Sequence, residues 1–161
     1  MTQGDRDRAA MRVGVSACLL GEKVRYDGGH KKDDFLLHVL GAFVTYVPVC
    51  PEVGIGLPIP RPTLRLVRGP QGARMVTSPP KGKHAPPIRD YTNEMRAFAA
   101  AKVAELQQMD LCGYVLKKDS PSCGMERVKL YDDRGVPHTN GVGLFAKALM
   151  EACPSLPVEE E

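Results

Sequence analysis

Residues 11–16, MRVGVS, and the stretch after them, residues 17–29, ACLLGEKVRYDGG, decide how this chain is read. A short apolar run with valines at alternate positions reads as a buried strand, and a polar segment closed by two glycines reads as a loop. The strand ends just before Cys18. The same arrangement recurs twice. Residues 43–49, FVTYVPV, are β-branched and aromatic and stop at Cys50, Pro51 and Glu52, so they read as a second strand despite Pro48. Residues 111–116, LCGYVL, are a third apolar run, followed by residues 117–124, KKDSPSCG, which carry Cys123.

Helical periodicity fills the intervals. Residues 32–40, KDDFLLHVL, have Asp33 or Asp34 as N-cap and Gly41 as C-cap. The strongest helix signal spans residues 90–109, where Met95, Phe98, Ala99, Lys102, Val103 and Leu106 fall on one side. Residues 140–151 read as a glycine-started helix, and residues 154–161 as an apolar, then acidic tail. Residues 53–62 and 78–87 carry too much Gly and Pro for regular structure, whereas residues 63–67 and 73–77 flank a Gly-Pro-Gln-Gly turn and form a hairpin. Strands alternating with helices predict an α/β fold: one domain over residues 11–161, a mostly parallel, Rossmann-like sheet flanked by helices, preceded by a disordered segment 1–10. Ligands of such sheets bind outside the carboxyl ends of the strands. A metal site formed by the strand-end cysteines is expected there.

Composition narrows the function. Twenty-two basic against 19 acidic residues give a net charge of +3 with the two signs interspersed, so no basic stripe offers itself to nucleic acid. Lys81, Lys83 and His84 sit among prolines and read as a solvated loop. No apolar run approaches the roughly 18 residues that would span a bilayer, and the polar start lacks a signal peptide's apolar core, so the expected location is cytoplasmic. There, five cysteines point to metal binding or catalysis rather than to disulfides. Cys112, inside an apolar run, and Cys153, after an amphipathic helix, read as core residues. Cys18, Cys50 and Cys123 lie in loops that can supply adaptable ligands. Three thiolates can bind three irons of a four-iron cubane and leave the fourth open, and catalytic metal sites keep such a position for substrate.

Three blocks carry a resemblance: VSACLLGEKVRYDGG from Val15, CPEVGIGLPIPRP from Cys50 and LKKDSPSCG from Leu116. Together, in this order and over nearly the whole chain, they resemble the signature blocks of domain-of-unknown-function family 523, some of whose members are thiouracil desulfidases. The resemblance implies an oxygen-sensitive [4Fe-4S] cluster on Cys18, Cys50 and Cys123, whose free iron takes the sulfur of 2-thiouracil or a related thiolated pyrimidine. The reaction it implies is non-redox, giving uracil and hydrogen sulfide. The family's acid/base carboxylate and its serine match Glu52 and Ser120, with Ser122 the weaker serine candidate. Two other readings stay open. One is a structural zinc or metal-binding interaction module, although structural zinc takes four ligands and only three are convincing. The other is a cluster enzyme acting on thiolated nucleosides or tRNA bases. Asp27, Gly28 and Gly29 are expected to turn tightly beside the first cysteine. Arg61 is a secondary anion or carbonyl binder, and Lys117 and Lys118 would offset the charge of a thiolate-bound cluster.

Overall fold

Valine-rich β1, Arg12–Ser16, is buried along all but its first residue, as a strand covered on both faces must be. The structure, a computed structural model, describes residues 1–4, 6 and 11–161, so the segment 1–10, expected to be disordered, falls partly outside it. A 3-10 turn, Ala17–Leu20, follows β1 directly and ends at Gly21 in the left-handed region, φ 90°. Next come helix α1, Asp34–His38, and strand β2, Thr45–Val49. Asp33 caps α1 by accepting from the Leu36 N–H at 2.9 Å. The helix ends before Gly41, which lies in a separate 3-10 turn, Leu40–Ala42. The short helix α2, Pro51–Gly54, starts with a proline at its first position, where the missing N–H costs nothing. It makes residues 53 and 54 helical where the sequence suggested only irregular chain.

The hairpin β3, Leu64–Gly69, and β4, Gly72–Thr77, forms as expected. It leads to helix α3, Thr92–Gln107, and strand β5, Leu111–Leu116. Beyond β5 the structure departs from expectation. Residues 128–131 and 137–141 are strands β6, Val128–Tyr131, and β7, Pro137–Gly141. The last helix, α4, is therefore Leu144–Ala152 and does not start at residue 140. Gly141 instead pairs with Val128. The acidic tail is also ordered, as strand β8, Val158–Glu160, parallel to β5.

These strands build two sheets. The first, in the order β2-β1-β5-β8, is parallel throughout. The second, β4-β3-β6-β7, pairs antiparallel at both ends and parallel at β3 and β6. The parallel sheet has apolar layers on both faces. On one, Tyr114, Leu116 and Val49 pack with Met95, Ala99, Val103, Phe145 and Leu149 of α3 and α4. On the other, Val15 packs with Leu19 and Leu36, and Val115 lies against them. The Tyr114 ring fits only because β1 carries Gly14: a Cβ there would stand 2.1 Å from the ring. Among the described residues no helix is long and apolar enough to cross a membrane.

One core assignment is corrected. Cys112 is exposed, and Cys153 is half-buried at the edge of the core. Along β1 the register steps from Leu111 at Arg12 to Gly113 at Val13, which leaves Cys112 as the extra, unpaired residue of a bulge. The alternation that would have turned it inward with Tyr114 is broken there.

Candidate active site

Sheet order explains why three distant cysteines line one cavity. Cys18 follows β1, Cys50 follows β2 and Cys123 lies beyond β5, and these three strands are neighbours in the order β2-β1-β5. Parallel strands stand about 4.8 Å apart, so their carboxyl ends open within roughly 10 Å of one another. All three cysteines line one cavity of about 500 Å³, together with Glu52, Arg61, Ser120 and Ser122. Among the described residues, no three His, Cys, Asp or Glu side chains stand close enough to share a single metal ion.

Burial governs the thiols. It pushes the Cys18 thiol up to about 11 and the Cys123 thiol up to about 12, and it raises Cys50 as well. Lys117 opposes the shift at Cys18, and the Ser16 and Ser122 hydroxyls beside Cys123 oppose it there. Neutral thiols therefore fill the cavity wall at neutral pH, and a bound metal group would have to displace their protons. The Tyr114 hydroxyl, buried near Cys123 and Cys50, has no hydrogen-bond partner among the described residues. A buried donor without an acceptor is costly, and the thiolates and sulfides of an iron–sulfur group bound to those cysteines would offer acceptors.

The loop carrying Cys123 is held by the start of α4. The N–H groups of Leu144, Phe145 and Ala146 have no partners within their own helix and donate to Pro121 O and Ser122 O at 3.0–3.1 Å. Gly143 lies against this loop so closely that a Cβ would meet Ser122 O at 2.5 Å. Gly143→Ala should therefore cost about 1–3 kcal/mol, the range for overpacking a tight site, read as a lower urea midpoint with unchanged slope.

Hydrogen bonds join the polar groups. Ser122 Oγ donates to Glu52 Oε1 at 3.2 Å and lies 3.0 Å from Ser120 Oγ. Ser120 Oγ accepts the N–H groups of Ser122 at 3.3 Å and Cys123 at 3.0 Å. A hydroxyl has two acceptor sites and one hydrogen, so Ser120 is left with its hydrogen to give, to Ser122 or to a ligand. Glu52 Oε2 accepts Arg61 Nε, and Arg61 Nη2 lies equally close, each at 2.8 Å.

A family model for 2-thiouracil desulfurase matches residues 13–161. The chain belongs to the 2-thiouracil desulfurase family. It is also similar to a solved structure of a [4Fe-4S]-dependent thiouracil desulfidase, TudS, at 32% identity over 94% of this chain and 91% of that one, with a TM-score of 0.69. A comparison with curated proteins finds no match.

Within this desulfurase-family chain, the structure refines the smaller expectations. Asp27, Gly28 and Gly29 do form a turn: Gly28 has φ 78° and Gly29 N–H donates to Asp27 Oδ1 at 2.9 Å. They do not line the cavity; Arg25, Tyr26 and Lys31 do. Lys117 pairs with Glu161, whose other oxygen accepts the Lys118 N–H at 2.9 Å, so the charge of Lys117 is partly met within the protein. Arg61, expected to bind an anion or a carbonyl, engages both kinds of group within the protein: the carboxylate of Glu52 and the carbonyls of Val24 and Pro58. Ser122, ranked below Ser120 from sequence, is the serine in contact with Glu52. Ser16, which accepts the Lys117 N–H at 2.9 Å and bonds Cys123, carried no signal beyond its place at the end of β1.

Proposed function

We propose that this chain is a thiouracil desulfidase that holds a [4Fe-4S] cluster on Cys18, Cys50 and Cys123. It converts 2-thiouracil, or a closely related free thiolated pyrimidine, and water to the oxo pyrimidine and hydrogen sulfide, with no net oxidation or reduction. One observation carries this reading: three thiols from three neighbouring strand ends line a single cavity with Glu52 and a serine pair. Family membership and the likeness to TudS, a [4Fe-4S]-dependent thiouracil desulfidase, support it. The donor set fits the group, because thiolates are the usual ligands of iron–sulfur clusters and each serves its own iron. Such ligands share a cavity without crowding round one ion, whereas structural zinc would want a fourth protein ligand beside these three.

When bound, the cluster supplies a Lewis-acidic iron with an open position and an affinity for sulfur. The chain's own residues manage water and protons. Glu52 Oε1, the carboxylate oxygen that faces the serines, takes a proton from water as the water oxygen bonds to the C=S carbon. The C–S bond then breaks, its electron pair leaves on sulfur, and the two protons lost by water end on the sulfide. Ser120 donates its uncommitted hydrogen to the pyrimidine and orients the ring. A cavity of about 500 Å³ has room for a pyrimidine as well as the group the thiols would hold.

Anaerobic reconstitution with iron and sulfide tests the cofactor assignment. The expected product is brown, absorbs broadly in the visible and contains about four irons per chain. Colourless protein that takes up stoichiometric zinc in preference to iron would contradict it.

A further inference from the structure

Arg61 is the most heavily engaged side chain of the cavity, yet the reaction proposed above gives it no task. Its side chain is only 3% exposed. Besides contacting Glu52 Oε2, it donates from Nη2 to Val24 O at 2.8 Å and from Nη1 to Pro58 O at 3.4 Å. Its own backbone N–H donates to Tyr26 O at 2.8 Å. One guanidinium thus ties together the loop after β1, helix α2 and the proline-rich segment that carries it.

We infer that Arg61 is the positioning residue of the site: by occupying Glu52 Oε2, it leaves Oε1 as the oxygen presented to Ser122 and, through it, to Ser120. This inference rests on the proposed desulfidase reading. A carboxylate on a free side chain rotates between equivalent orientations; here the planar fork of the guanidinium removes that freedom. Arg61 has a second effect at Val24 O, which also lies 3.9 Å from Cys50 Sγ. The same guanidinium thus also holds the loop after β1, through Val24 O at 2.8 Å. Lysine cannot reproduce the arrangement, because its ammonium lacks the fork that reaches Oε2 through two nitrogens and Val24 O at once.

The test compares Arg61→Lys and Arg61→Met with the wild type, all loaded anaerobically. A misplaced catalytic group costs on the order of 100-fold, so Arg61→Met should lower kcat by about that factor while KM changes by less than about threefold. Arg61→Lys should lie between the two, and guanidinium ion added to Arg61→Met should restore part of kcat. In the cluster-free protein, the Arg61 Nε–H proton resonance should exchange slowly with solvent and move on Glu52→Gln. Wild-type kcat in Arg61→Met, a rise in KM alone, or loss of cluster from both variants would overturn the inference. The first would leave Glu52 oriented without Arg61, the second would make Arg61 a substrate ligand, and the third would make it a structural brace. If wild-type protein with a full cluster releases no sulfide, the desulfidase reading itself falls, which is a separate outcome.

Discussion

Cys123→Ala should leave a folded protein that can no longer hold the cluster or release sulfide from 2-thiouracil. The two effects separate because the thiol has two roles. In the cluster-free protein Cys123 is a small buried group in the apolar cluster around Phe145. Removing its sulfur leaves a cavity about the size of a methyl group, at a cost of about 1 kcal/mol. In the loaded protein it is one of three proposed ligands. Loss of a mere outer-shell partner at a metal site costs about 10- to 100-fold, so loss of a ligand should cost more than ~100-fold. Iron content and sulfide release measured on the same anaerobic sample check the site, and a urea melt of the cluster-free variant checks the fold. Cys112→Ala is the control: Cys112 is exposed in its bulge, and its replacement should change neither.

Glu52→Gln is the second large effect, and it should lower both activity and stability while the cluster stays bound. An amide cannot take the proton from water, and loss of a general base costs roughly 100- to 10,000-fold in kcat. The stability loss arises at Arg61, whose guanidinium, 3% exposed, would keep hydrogen-bond acceptors but lose its counter-charge. Removing a partner from a buried pair outright costs about 3–5 kcal/mol, and with the amide oxygen still accepting, roughly 2 kcal/mol is expected. Glu52→Asp keeps the charge but draws the carboxylate back by one methylene. It should recover most of the stability and little of the activity. Denaturant melts and steady-state kinetics on the three proteins read the two effects apart.

Features written locally are visible in the sequence. Apolar runs ending at residues 16, 49 and 116 announce three strands whose carboxyl ends carry the cysteines, and one-sided spacing from Met95 to Leu106 announces α3. What escaped depends on contacts between distant segments. Val158–Glu160 is a strand only because β5 offers it a parallel edge, and nothing in Pro-Val-Glu-Glu says so. Val128–Tyr131 is too short to signal without its partners β3 and β7. Cys112 looked internal because the bulge that turns it outward is a mismatch with β1, not a property of its own neighbours. At the site, Ser122 and Arg61 differ from ordinary loop residues only in reaching Glu52, from 70 and nine positions away. Arginine between prolines was a hint, but its partner could not be read from it.

Turnover of 2-thiouracil by the anaerobically loaded wild-type protein, in water labelled with heavy oxygen and with no reductant or oxidant added, separates hydrolytic from redox removal of sulfur. Equal amounts of hydrogen sulfide and uracil are expected, with the label in the new carbonyl of uracil and many turnovers per cluster. Protein with a full cluster that releases no sulfide, or releases it only when a redox partner is added, would contradict the hydrolytic reaction.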